Sequence, residues 1–88
     1  MGNPLEGRRP TIEYPCTWTY RVIGRDELLV RAALVELVGV AEHTLTLSAQ
    51  SSSGKYRTLQ LDVTVRDEAH RLELFARIAQ HPDVRFVV

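Results

Sequence analysis

From Cys16 onward the spacing of apolar residues switches between every second residue and every third or fourth, and no other feature limits the possible folds as sharply. Side chains alternate faces along a strand and return to one face about every 3.6 residues along a helix, so each switch marks a new element. From Cys16 to Ile23 the residues are β-branched or aromatic, with Trp18, Tyr20 and Val22 on one face and Thr17, Thr19 and Arg21 on the other. Gly24 ends this first strand. Asp26 then stands at an N-cap position, and Val30, Ala33, Leu34, Leu37 and Val38 predict a helix from about Glu27 to Val38, stopped by Gly39. Leu45, Leu47 and Ala49 alternate with Thr44, Thr46, Ser48 and Gln50, a second strand with its leucines inward. Ser51 to Gly54 supplies turn chemistry, and Leu59, Leu61, Val63 and Val65 alternate with Thr58, Gln60, Asp62 and Thr64, making an antiparallel hairpin. Asp67 caps a second helix, its apolar stripe read as Leu72, Phe75, Ala76 and Ala79 with Leu74 and Ile78 flanking, which ends near His81-Pro82. Val84, Phe86 and Val88, alternating with Arg85 and Val87, predict a short last strand.

The order is therefore βαββαβ. Each βαβ half needs a right-handed crossover, which puts both helices on one side of the sheet. The expected fold is α+β: a ferredoxin-like two-layer sandwich, a four-stranded antiparallel sheet in the order 4-1-3-2 with two helices on one face and the other face open. The domain is expected over residues 14–88, behind a flexible lead-in over 1–13 that mixes Pro4, Gly7, Pro10 and paired arginines without periodicity. A chain of 88 residues is too short for a second core.

Composition narrows the function more than it identifies it. Eleven basic side chains balance eleven acidic ones, so no long-range field draws in nucleic acid or an anionic membrane. Cys16 is the single thiol, which leaves no internal disulfide and no multi-cysteine metal site, and points to a reducing, cytoplasmic setting. No apolar run is long enough to span a bilayer.

The residues that could carry chemistry mostly have plainer explanations. His43, His70 and His81 share no metal-ligand spacing and read as solvated or capping residues. Cys16 has no sequence-local base to make it a nucleophile. Ser52-Ser53-Gly54-Lys55 feeds a strand rather than a helix and is a hairpin turn, not a phosphate loop. Glu68, Arg71, Glu73 and Arg77 form a solvated helix face. Two features stand above these. Gly24, Arg25 and Asp26 turn the chain into a helix N-terminus, whose free N–H groups favour an anionic guest. The open sheet face should collect Thr17, Thr19, Arg21, Thr44, Thr46, Ser48, Thr58, Gln60, Thr64 and Arg85. Tyr56, near a strand end, is its one expected aromatic, and Asp62 would repel phosphate, so nucleic-acid binding is not favoured.

Three blocks of the chain resemble one family. Tyr14 to Gly24, with its aromatic-proline start, aromatic strand and closing glycine, the serine-rich turn Ser51 to Tyr56, and the last strand Pro82 to Val88 are similar to the YbeD-like family of small bacterial proteins, a domain of unknown function. The resemblance implies the ferredoxin-like fold and a relation to ACT-type regulatory domains, which pair and bind amino acids or similar molecules near the first strand-to-helix turn, here at Gly24. It transfers no catalytic residue. The resulting expectation is a non-enzymatic regulatory or protein-interaction module, without cofactor or metal, working through the sheet face and an edge strand on a protein partner or a second copy. The alternative is an ACT-like sensor of an anionic metabolite at Gly24, Arg25 and Asp26.

Overall fold

Two aspartates start the helices of the computed structural model, which describes residues 12–50 and 52–88. The Asp26 carboxylate accepts from the Leu29 N–H at 3.1 Å, and that of Asp67 from the His70 N–H at 2.7 Å, each satisfying a first-turn donor that the helix itself cannot. Helix α1 spans Glu27–Val38 and α2 spans Glu68–Gln80. Gly39 closes α1 at φ 65°, where a side chain would be strained, and its N–H donates to the Val35 carbonyl. The strands are β1 (Cys16–Gly24), β2 (His43–Gln50), β3 (Arg57–Val65) and β4 (Phe86–Val87). The sheet order is β2-β3-β1-β4, which read from the other edge is the expected 4-1-3-2, and every pairing is antiparallel. Of the lead-in expected over 1–13, only Ile12 and Glu13 lie within the described residues.

One face of the sheet builds the core. Tyr20, Val22, Leu59, Leu61, Val63 and Val65 meet Val30, Leu34, Leu74 and Ile78 of the helices, all of them buried. Full burial of each such aliphatic side chain contributes about 1.5–3 kcal/mol. The Tyr20 hydroxyl reaches the Arg71 carbonyl at 2.7 Å, so the largest core residue brings its polar atom to a partner. The Arg71 guanidinium sits 4.4 Å from the Trp18 ring centre and donates to the Tyr14 hydroxyl at 3.0 Å. The aromatic start of β1 is thereby fastened to α2, and the Tyr14-Pro15 peptide is cis.

Three expectations are corrected. On α2 the buried line is Leu74 and Ile78, whereas Leu72, Phe75, Ala76 and Ala79 are exposed. Apolar residues lie around much of this helix, so periodicity left its rotation open; packing against the sheet set it, with Phe75 half outside and 6.4 Å from the Tyr20 ring. In β2 a bulge falls between Leu47 and Ala49: Leu47 faces Leu59, but Ala49 faces Thr58 and joins the open face instead of the core. Ser48 is the extra residue there, without a facing Cα, and its hydroxyl donates to the Thr58 carbonyl at 3.2 Å. In the last strand Phe86 faces Ile23 and Val87 faces Val22, so Phe86 lies on the open face, 60% exposed, while Val87 packs on the core. Val84 is buried from a turn in which its N–H bonds the His81 carbonyl, outside the strand, so the alternation does not carry through it.

Candidate functional site

The open face is ordered in cross-strand rows. Thr44, Asp62 and Thr19 lie side by side, then Thr46, Gln60 and Arg21, then Ala49, Thr58, Ile23 and Phe86. Of the residues expected on this face, Thr17, Thr19, Arg21, Thr44, Thr46, Thr58 and Gln60 are in these rows or in the next one, where Thr17 faces Thr64. The first row centres on a carboxylate. The Thr19 hydroxyl donates to Asp62 at 2.6 Å and the Gln60 amide at 3.1 Å, and these hydrogen bonds hold the Asp62 carboxyl below its ordinary range.

The last row has a different chemistry. Ile23, Ala49, Gln50, Tyr56, Thr58, Arg85 and Phe86 line a cleft of about 400 Å³. Arg25 and Lys55 lie 5.7 and 5.5 Å from the Tyr56 ring centre, and Arg85 lies 5.7 Å from that of Phe86. A hydrogen bond from Arg25, with the charges of Lys55, Arg25 and Arg85, holds the Tyr56 phenol below the usual tyrosine range. Among the described residues no carboxylate forms an ion pair with any of the three cations. A second cleft of about 450 Å³ shares Arg85 and Phe86, and runs past Arg25 to Asp26 and Asp83.

The expected site at Gly24, Arg25 and Asp26 therefore divides by role. A Cβ on Gly24 would come within 2.4 Å of a Val30 methyl and 2.6 Å of the Asp83 carbonyl oxygen, so glycine is required there by close packing of backbone and helix. Asp26 spends its carboxylate on the helix cap. Only Arg25 turns toward the aromatic corner. The sequence reading missed Phe86, Ile23 and Ala49 as members of that corner. Ile23 carried the available signal: it is the one apolar residue on the threonine side of β1, so something had to share its apolar surface. Among the described residues no group of three His, Cys, Asp or Glu side chains is placed to hold a metal ion, and no helix is long and apolar enough to cross a membrane.

A family model described as "Protein of unknown function (DUF493)" matches residues 9–88. An uncharacterised protein of Campylobacter jejuni is 32% identical over 71 residues, 81% of this chain and 82% of its own length. An uncharacterised protein of Helicobacter pylori is 32% identical over 79 residues, 88% of this chain and 90% of its own. A solution structure of protein HP0495 from H. pylori superimposes with a TM-score of 0.82 at 27% identity, covering 100% of this chain and 97% of that one. A second solution structure of the hypothetical protein HP0495 gives 0.63, also at 27% identity, over 98% of this chain.

Proposed function

Since the chain belongs to the DUF493 family, whose function is unknown, we propose from the geometry that it is a non-enzymatic regulatory or protein-interaction module working through its open sheet face and the β2 edge. One observation carries the reading. β2 overhangs the helical layer, so that Leu47, which faces Leu59 on the core side, is still 41% exposed. The outer backbone groups of β2 have no strand beside them among the described residues. An added strand would satisfy those groups and cover Leu47, while the threonines beside it lose little side-chain freedom on contact. Its bulge at Ser48 confines regular pairing to the half from His43 to Leu47.

The partner in this reading is a second copy paired edge to edge or another protein's extended segment, in the cytoplasm and without a cofactor. Thr46→Lys tests it, because Thr46 is exposed in the isolated domain and a lysine on an edge strand opposes further pairing. Sedimentation equilibrium should show the wild type associating and the variant monomeric, with matching circular dichroism and melting temperature. If both are monomeric at every concentration, self-association through β2 is wrong. If both associate equally, the interface lies elsewhere.

A further inference from the structure

The aromatic corner differs from the rest of the face in joining an apolar floor to two rings that carry three cations beside them. Ile23, Tyr56 and Phe86 come from three separate parts of the chain, and the β2 bulge puts the small side chain of Ala49 among them, which keeps the floor open. Arg25, Lys55 and Arg85 approach it from three connections, all three exposed. In a chain whose charges balance at zero, three cations that have no ion-pair partner among the described residues and lie at one place are a local excess, and they complement negative charge.

We infer that this corner binds a small planar anion, a flat apolar or aromatic body seated against Ile23, Tyr56 and Phe86 with its carboxylate or other anionic group held by Arg25, Lys55 and Arg85. A flat body makes offset or edge contacts with the two rings, and a guanidinium presents paired donors that match a carboxylate. The size of the cleft, about 400 Å³, lies in the range of small-molecule sites. A nucleic-acid strand fits less well. Four residues along β3 from Thr58 stands Asp62, held ionised, on the same face and about 13 Å away at strand spacing. A second or third phosphate would meet it. Asp26 and Asp83 border the neighbouring cleft, which directs the anion to the sheet side of Phe86. The inference goes beyond the interaction reading and does not need a protein partner.

Titration of the isotope-labelled full chain with 2-naphthoate, followed by amide chemical shifts, tests it. The expected result is saturable movement of the Ile23, Ala49, Tyr56 and Phe86 amides, with uncharged 2-naphthamide binding about tenfold or more weakly, the loss of one charge-assisted contact. Arg25→Gln and Arg85→Gln, both at exposed positions, should each weaken naphthoate severalfold to about tenfold without lowering the melting temperature. Thr46→Lys should leave naphthoate binding unchanged, so failure of this site and failure of the β2 interface are separate results. Equal binding of naphthamide would overturn the proposal in favour of an unselective apolar patch. Shifts centred on other residues, or none that saturate, would also overturn it, as would an oligouridylate that binds the corner more tightly than naphthoate.

Discussion

Tyr20 and Trp18 share one face of β1 but not one environment. Tyr20 is 2% exposed and hydrogen-bonded to the Arg71 carbonyl, whereas Trp18 is half-buried at the margin under the Arg71 guanidinium. Tyr20→Ala should therefore cost about 3–5 kcal/mol in a denaturant titration, and Trp18→Ala distinctly less, about 1–3 kcal/mol. An equal cost for the two would mean that the indole is covered as completely as the phenol. Asp62 makes a second test at this scale. Its folded-state value lies below the ordinary 3.8, chiefly because the Thr19 hydroxyl donates to it, so its contribution is complete above about that pH and is lost as the pH falls through the folded value. Titration of the Asp62 carboxyl carbon should give a midpoint below 3.8, and Thr19→Val should move it upward. An unmoved midpoint would remove the hydroxyl as the cause.

Between elements, Gly24 is the tightest junction. It lets the end of β1 pass under α1 and against the loop from α2 to β4, where the obstacle is backbone at Asp83 and not only a flexible side chain. Gly24→Ala should cost about 1–3 kcal/mol, read as a lower melting temperature, whether or not any ligand is present. A melting temperature equal to wild type would show that the loop yields freely. The same packing makes Gly24 a poor probe of binding, since a larger side chain there disturbs the fold before it reaches a guest. Arg25 and Arg85 are the informative positions. Both edges of the sheet also differ from a simple reading of strand length. β4 pairs with β1 only at Val22 and Ile23, with a further backbone exchange between Arg21 and Val88, while β2 runs on past the helices and ends its regular half at a bulge.

Across the whole molecule the helices screen one side of the sheet and leave the other to solvent, and the two proposals divide that open side. The polar rows and the overhanging β2 suit an added strand, and the corner at Phe86 suits a small anion. They are separable because Thr46 and Arg25 lie on different elements, β2 and the turn before α1. Similarity to proteins of Campylobacter jejuni and Helicobacter pylori over most of both chains extends the fold to those relatives.

Element order, both helix caps, the hairpin, the sheet order and the inward face of β1 were legible in the sequence, because each follows from a local rule. A period of two or 3.6 and an aspartate ahead of an apolar run act within a few residues of themselves, and the handedness of crossovers then arranges the pieces. Three matters were decided only by tertiary structure. The rotation of α2 depended on which of its apolar lines met the sheet, and put Leu74 and Ile78 inside in place of Leu72 and Phe75. The parity of β2 after Leu47 depended on a bulge, and that of the last strand on its register with Ile23 rather than on its own alternation. The aromatic corner exists for the same reason. Ile23, Ala49, Tyr56 and Phe86 come together only when all four strands and a turn are in register, and pairing across a sheet is set by partners distant in the chain, which no local pattern records.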